Sequence, residues 1–210
     1  MTPGSRTPPV VVPRLAVSVL MVRGDVPNLE VFVQNRTSTM DFAAGMVVFP
    51  GGRVDEVDHA AARTWRVSPD LLERHARCWT ETSIAVGSRA ELLVSAEVLL
   101  AAAVREVEEE TGAVLSVGDL IPWANWITPT GYSKRFDTFF YLTVLAEFLD
   151  PQHRTTEADS SHWAPVRGLL RGAAEGRLEM MRPTTVLLQE LARHPGTWAA
   201  ERRISPVGSL

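Results

Sequence analysis

The stretch AAAVREVEEETGAV, residues 101–114, places four glutamates in five positions directly after a run of alanines. On an α-helix, residues three and four positions apart share a face. Glu106 therefore lies beside Glu109 and Glu110, whereas Glu108 is turned away from them. The stretch predicts a helix that carries three carboxylates on one side.

The position of these carboxylates needs a physical explanation. They cluster at the C-terminal end of the helix, where the helix macrodipole makes negative charge unfavourable. A solvated charged surface is one interpretation. A site for a hard cation such as Mg²⁺ is the other, because Mg²⁺ prefers oxygen ligands and offsets their repulsion. Arg105 can pair with Glu109, four residues further along.

The same helix is predicted to span residues 89–111. Gly112 follows it and is well placed to end it in a left-handed conformation. One face is apolar, and the residues that recur on it at three- and four-residue steps are Leu93, Ala96, Leu100, Val104 and Val107.

Strands are predicted on both sides of this helix. The apolar, β-branched runs 14–22 and 29–36 are separated by the turn-rich RGDVPN and indicate an antiparallel hairpin. A short strand follows at 45–52, where Pro50 and two glycines stop it. After the helix, further strands or strand-loop pieces are indicated by AVLSV, WANWIT, RFDTFFYLTVL and SHWAPV.

Two more helices are indicated. SPDLLERHARCW has Ser68 as an N-cap and Pro69 at the first helical position. PTTVLLQELAR, residues 183–193, is an amphipathic closing helix. The order of elements predicts an α+β domain in which helices pack on a mostly antiparallel or mixed sheet.

Composition limits the possible functions. The chain has 210 residues, a net charge of −4 and one cysteine, Cys78. These values fit one globular domain, argue against binding to nucleic acid through overall charge, and exclude an internal disulfide framework. We expect residues 1–13 to be a disordered or extended lead-in and 196–210 a C-terminal tail. No apolar run is long enough to span a membrane, and a cytoplasmic location is the simple expectation.

Residues 105–113 reproduce the second half of the Nudix signature, R-E-U-x-E-E-x-G-U, with only Ala113 departing from a bulky aliphatic residue. Glu97 precedes Arg105 by the seven intervening residues that the signature requires. Upstream, VFPGG resembles the strand and double glycine that open the motif. The chain resembles a Nudix hydrolase over residues 14–195. This resemblance implies a mixed sheet sandwiched between helices (α/β/α).

One departure from the family pattern is large. Between Gly52 and Glu97 there are 44 residues, whereas the family usually has five. The excess forms a partly helical insertion within 53–96 and resembles the one carried by the coenzyme A diphosphatase branch. A tolerated surface loop, a lid over the site and an element that docks a partner are the three interpretations of this insertion.

The resemblance also implies site roles. Nudix enzymes cleave a nucleoside diphosphate linked to another group, with water attacking one phosphorus while metal ions neutralise the developing charge. It implies that the ligands of Mg²⁺ or Mn²⁺ are Glu106, Glu109, Glu110 and the carbonyl of Gly51. Arg105 would orient these carboxylates and Glu97 would support them. Glu106 is one candidate for positioning the water, and Glu157 or Asp159 for the general base.

Substrate recognition is suggested by NRTSTMDFAAGMVVFPGG, residues 35–52. Coenzyme A-cleaving members carry a signature whose steps are matched by Arg36, Thr37, Gly45, Phe49, Pro50, Gly51 and Gly52. Asp41 stands where that signature has an arginine, which is a reversal of charge. From this segment Arg36, Gly45 and Gly52 are predicted to contact substrate.

A second candidate segment is PWANWITPTGYSKRFDTFFYL, which also resembles the long-insertion branch. Lys134 and Arg135 are predicted to meet phosphate. Trp123 and Trp126 either stack a base or pack in the core, which is the commoner position of tryptophan.

Several functions stay open at this stage. Coenzyme A or acyl-CoA is the favoured substrate, and ADP-ribose, a nucleotide sugar or a dinucleoside polyphosphate is the alternative. A Nudix module that binds a nucleotide-like ligand without cleaving it is an alternative of another class. The resemblance implies a small-molecule partner and no nucleic acid or membrane, and it is compatible with a homodimer.

Overall fold

The computed structural model describes residues 11–39, 42–145, 149–193 and 202–208. The strands are β1 (Arg14–Arg23), β2 (Glu30–Arg36), β3 (Val47–Val48), β4 (Ile121–Ile127), β5 (Phe136–Val144) and β6 (Ala158–Pro165). The helices are α1 (Glu56–Thr64), α2 (Pro69–Cys78), α3 (Arg89–Thr111), α4 (Val166–Ala174) and α5 (Arg182–Arg193). Asp41 lies outside the described residues.

The strands form one mixed sheet. β1 pairs with β5 in parallel, whereas its pairing with β2 is antiparallel, as the hairpin prediction required. β2 pairs with β6 along one edge, and its other edge pairs with β1 at the start of the strand and with β3 at the end. β4 lies on the far side of β5.

Helices cover both faces of the sheet. Alternate residues of β1 point to opposite faces. Val17, Val19 and Met21 enter a core with α3, whereas Leu20 and Val22 enter a second core with α4 and α5. The predicted α/β/α sandwich is confirmed. Within the described ranges, no helix combines the length and apolar composition needed to cross a bilayer.

Helix α3 has the predicted bounds, and Gly112 ends it with φ of +74°. Its burial is wider than the predicted single apolar face, because α3 is buried almost all round between residues 98 and 104. Helices α1 and α2 also pack against α3, and α2 contacts the sheet as well, where His75 stacks on Tyr141. The run of alanines, residues 101–103, leaves room for these neighbours.

The other predicted elements have mixed outcomes. Ser68 caps α2 by accepting a hydrogen bond from the Leu71 amide, as expected, and α5 closes the domain. The AVLSV segment forms no strand and leads into a short 3₁₀ turn at Val117–Asp119. Helices α1 and α4 are additions to the predicted set.

Candidate functional site

The double glycine lies where the chain crosses from one strand to another. After β3 leaves β2, the next residues bond to β1: the Val19 amide donates to the Pro50 carbonyl at 2.8 Å and the Val17 amide to Gly52 at 2.9 Å. Gly51 has φ of +150°, and a Cβ at this position would strike the backbone of Val17 and Ser18. Only glycine fits there.

Glu110 is buried against this crossing. Its Oε2 accepts a hydrogen bond from the Gly51 amide at 2.9 Å, and its side chain is 7% exposed. Burial raises the pKa of Glu110 to about 7, and the nearby charge of Glu106 acts in the same direction. A carboxylate in this position needs a positive partner to be stably ionised.

Glu106 lies one turn earlier on α3 and faces the second glycine. A Cβ on Gly52 would collide with the Glu106 carboxylate. Burial raises the pKa of Glu106, although the neighbouring Arg105 guanidinium, 2.9 Å from Oε1, opposes this rise. The pair of glycines therefore allows two carboxylates to approach the backbone closely.

Arg105 is held mainly by Asp58 of α1. Its Nε and Nη2 donate to the two oxygens of Asp58 at 2.7 Å and 2.9 Å, and Nη2 also donates to the Arg53 carbonyl at 3.0 Å. The Asp58 side chain is 1% exposed. This bidentate bond raises the pKa of Arg105 above its already high value and fixes the guanidinium beside Glu106.

The role predicted for Glu97 therefore needs correction. Glu97 and Arg105 stand eight residues apart on one continuous helix, which separates them by about 12 Å along its axis. Among the described residues, Asp58 makes the contact that was assigned to Glu97. Asp58 follows Gly52 after five residues, the spacing at which the family places its first glutamate. The additional residues then fall between Asp58 and Arg105.

Glu108 and Glu109 lie at the exposed end of the cluster. The Glu109 side chain is 60% exposed and accepts from Arg105 Nη1 at 3.1 Å, as its spacing predicted. Glu108 is exposed and faces elsewhere. Arg154, whose guanidinium lies over Gly112, supplies positive charge at the helix end that the α3 sequence lacks.

The donor set is suited to a hard divalent cation. Glu106 and Glu110 present carboxylate oxygens, and no donor among the described residues is bonded to the Gly51 carbonyl. In the described part of the chain, no three acidic, histidine or cysteine side chains already surround a common point. Glu109 is turned toward Arg105, and its ligation would require it to leave that partner.

A cavity of about 790 Å³ opens beside the double glycine. Gly51 and Gly52 form part of its wall, so the cavity and the carboxylates meet at the same backbone. Among the described residues that line it, the charged ones are all basic, namely Arg36, Arg53, Lys134 and Arg182. Its aromatic lining residues are Phe42, Phe49, Trp126, Tyr132, Phe136 and Phe140.

The two adjacent basic residues predicted to bind phosphate have different roles. Lys134 lines the cavity. Arg135 is 2% exposed, and it donates to the Thr128 carbonyl at 2.9 Å and to the Val11 carbonyl at 2.7 Å. The guanidinium of Arg135 therefore links two backbone segments of the chain, and the prediction of a phosphate contact for it is wrong.

Of the other residues predicted to contact substrate, some line the cavity and some do not. Arg36 and Gly52 line the cavity, whereas Gly45 is an exposed turn residue with φ of +71° outside it. Trp126 lines the cavity, and Trp123 is buried in the core formed with α4 and α5. Core packing is thus confirmed for Trp123, whereas base stacking by Trp126 stays a prediction.

Of the two candidate bases, Glu157 is near the site. Its carboxylate pairs with Arg36 Nη2 at 3.0 Å, and its charge contributes to the raised pKa of Glu110. Asp159, two residues further, is exposed on β6 and makes no hydrogen bond with the carboxylates of α3 within the described ranges.

Some contributors to the site were not predicted from the sequence. Asp58 could have been found from its spacing after Gly52. Val207 and Gly208 line the cavity because the Val207 backbone bonds to β4, through the Ile127 amide at 2.8 Å and the Asn125 carbonyl at 2.9 Å. Nothing in the local sequence indicated this long-range pairing.

Comparison with known proteins identifies relatives of this chain. The family model described as the NUDIX domain matches residues 72–199. A Caenorhabditis elegans protein named as nudix hydrolase 7 is 24% identical over 165 residues, which cover 78% of this chain and 56% of that protein. The chain thus spans little more than half the length of this curated relative.

Two solved structures share the fold. A NUDIX hydrolase from Alicyclobacillus acidocaldarius gives a TM-score of 0.65 at 24% identity, over 88% of this chain and 93% of that one. The NUDIX domain of Shewanella oneidensis NrtR, complexed with ADP ribose, gives 0.54 at 14% identity, over 86% of each chain. With a family model matched over more than half of its residues, the chain belongs to the Nudix family.

Proposed function

We propose that this protein is a metal-dependent pyrophosphohydrolase that cleaves a nucleoside diphosphate linked to another moiety. One observation carries the proposal: Glu106 and Glu110 pack against the double glycine, and the same two glycines line a cavity in which the described charged residues are all basic. An anionic pyrophosphate in that cavity would lie beside the carboxylates.

Each group has a part in this chemistry. Glu106, Glu109, Glu110 and the Gly51 carbonyl would hold Mg²⁺ or Mn²⁺, which supplies neutralising charge for the phosphate oxygens. Water forms a bond to one phosphorus while the bond from that phosphorus to the bridging oxygen breaks. The bridging oxygen leaves on the second phosphate, and the two products are phosphate monoesters.

The proton of the attacking water needs an acceptor. Glu106 is the candidate next to the double glycine. Glu157 is the second candidate, and it would have to leave its 3.0 Å ion pair with Arg36 to act. A substrate phosphate that binds Arg36 would release Glu157 in the same step.

Coenzyme A or an acyl-CoA is the substrate we favour. Residues 36–52 resemble the signature of coenzyme A-cleaving members, and Arg36 and Gly52 of that segment line the cavity. Trp126 and Tyr132 offer aromatic surface for an adenine ring. We also propose that the protein belongs to the family branch that carries a long insertion in the motif. A cytoplasmic location and a homodimer are further parts of the proposal.

ADP-ribose is the main alternative substrate, together with nucleotide sugars and dinucleoside polyphosphates. The NrtR domain that shares the fold was complexed with ADP ribose. A module that binds such a ligand without cleaving it is the alternative of another class. The presence of all three motif glutamates, Glu106, Glu109 and Glu110, favours the enzyme.

A substrate panel tests the proposal. Purified protein with Mn²⁺ is incubated with coenzyme A, acyl-CoA, ADP-ribose, NADH and nucleotide sugars, and the products are resolved by chromatography. We expect two phosphate monoesters from coenzyme A or its thioester, and loss of turnover in Glu109→Gln. Tight binding of one compound with no cleavage of any would instead support the non-catalytic module.

A further inference from the structure

Gln34 is a buried polar residue that the motif does not include. It lies within β2, in register with Val48 on one side and Ser161 on the other, and it is 2% exposed. Burying an amide without hydrogen bonds costs a few kcal/mol, so a buried glutamine is retained where its amide has a partner.

The partner of Gln34 is a carboxylate of the candidate metal site. Its Nε2 donates to Oε2 of Glu110 at 3.1 Å, and the Gly51 amide donates to the same oxygen at 2.9 Å. Two donors thus occupy one oxygen of Glu110. Among the described residues no donor is bonded to the other oxygen, Oε1, which leaves Oε1 to a ligand.

The chemistry of the donor is suited to this task. A lysine or arginine at position 34 would neutralise Glu110 and compete with a cation. A carboxylate at position 34 would repel the Glu110 carboxylate. A neutral amide held by pairing on both edges of β2 fixes the orientation of the carboxylate and leaves its negative charge available. Ligands of metal ions are commonly oriented by such outer hydrogen bonds.

We propose that Gln34 is a positioning residue that turns Oε1 of Glu110 toward a bound divalent cation. The inference rests on the proposed function, since it assumes that Glu110 is a metal ligand. Gln34 acts through Glu110 and touches neither the substrate nor the reacting atoms.

The test compares two neighbouring substitutions. Gln34→Met keeps the approximate shape and removes the donor. Asn35→Leu is the matched control, because Asn35 is the next residue of β2, points to the opposite face and donates to Ser160 Oγ at 2.8 Å. Mn²⁺ affinity is measured by electron paramagnetic resonance of the free ion, and folding by thermal unfolding in EDTA.

We expect Gln34→Met to weaken Mn²⁺ binding by about 10- to 100-fold, the usual effect of removing an outer hydrogen bond to a metal ligand. Asn35→Leu should bind Mn²⁺ within about twofold of the wild type. At low metal concentration kcat of Gln34→Met should fall while the KM for the substrate stays unchanged. If Gln34→Met does not fold, Gln34→Asn serves instead, because its side chain is one methylene shorter and holds the amide donor away from Glu110.

The outcomes separate this inference from the proposed function. Wild-type Mn²⁺ affinity in folded Gln34→Met, or in Gln34→Asn where that replaces it, overturns the role of Gln34 even if the enzyme is active. Wild-type protein that binds Mn²⁺ but cleaves no pyrophosphate overturns the proposed function, whereas the titration still decides the role of Gln34. Wild-type protein that binds no Mn²⁺ overturns both.

Discussion

The guanidinium of Arg105 is joined to the carboxylate of Asp58 by two hydrogen bonds, at 2.7 Å and 2.9 Å, across 47 positions of sequence. This bond ties the start of α1 to the acidic end of α3. It also places Arg105 Nη1 within 2.9 Å of Glu106 and 3.1 Å of Glu109. Asp58 thus fixes the arginine that in turn orients two of the three motif carboxylates.

Removing the charge of Asp58 should therefore impair both stability and turnover. In Asp58→Asn we expect unfolding to become easier by about 3 kcal/mol, because a buried guanidinium partner is lost. We expect kcat to fall about 10- to 100-fold because Glu106 loses its orientation. Denaturant unfolding and steady-state kinetics measure the two effects.

Glu56→Gln is the control for Asp58→Asn, since Glu56 is an exposed residue of the first turn of the same helix. It should leave kcat unchanged. Equal kcat values in the Asp58 variant and the wild type would show that Asp58 does not act on the site.

The close packing of Gly52 on Glu106 predicts a selective loss of activity. In Gly52→Ala the new Cβ would collide with the Glu106 carboxylate, and the side chain can turn away at little cost to folding. We expect a folded protein with strongly reduced kcat. Gly118→Ala is the control, because a Cβ there meets only an ordinary contact at 3.5 Å with Ser116 Oγ. Undiminished turnover in Gly52→Ala would remove Glu106 from the site.

The neighbours Lys134 and Arg135 give a matched pair of substitutions. Lys134→Met should raise KM for an anionic substrate with little change in Tm, because Lys134 is exposed and lines the cavity. Arg135→Met should lower stability by about 3 kcal/mol, because two charge-assisted hydrogen bonds to carbonyl groups are lost. A loss of stability in Lys134→Met, together with a raised KM and unchanged stability in Arg135→Met, would contradict the assignment of these residues.

His75 predicts a pH dependence of stability. Burial lowers its pKa to about 4 from 6.5, and it stacks on Tyr141. A group whose folded pKa is depressed binds fewer protons when folded, so its contribution is complete above pH 6.5 and is lost as pH falls toward 4. The wild type should lose up to about 3 kcal/mol relative to His75→Phe over this window.

Denaturant unfolding of both proteins between pH 4 and 7.5 checks this. The comparison with His75→Phe isolates the histidine, since the raised pKa of Glu110 changes stability in the opposite direction in both proteins. Parallel stability curves would mean that His75 accepts a proton in the folded state as easily as in the unfolded state.

Much of the fold could be predicted because its signals are local. The bounds of α3 follow from Ser88, whose side chain caps its first turn, and from Gly112, which ends it. The hairpin of β1 and β2 follows from two apolar runs around a short turn. By contrast, α4 begins at the end of a strand without a capping side chain, so no start signal marked it.

The site was predictable where residues act through spacing on one helix. Glu106, Glu109 and Arg105 are such residues. Asp58 reaches Arg105 from another element, but its spacing after Gly52 could have indicated it. Gln34 has no such signal, because its contact with Glu110 depends on how β2 packs against α3. Arg135 could not be distinguished from Lys134 in the sequence, because burial by the Val11 segment decides its role.

The most direct test compares three glutamates of one helix. Release of phosphate monoesters from coenzyme A and ADP-ribose is measured with Mn²⁺ for the wild type, Glu106→Gln, Glu110→Gln and Glu108→Gln. The first two variants should lose more than about 100-fold in kcat, whereas Glu108→Gln, whose side chain is exposed and faces elsewhere, should match the wild type. Turnover retained in Glu110→Gln, or lost equally in Glu108→Gln, would contradict a metal-dependent reaction at the double glycine.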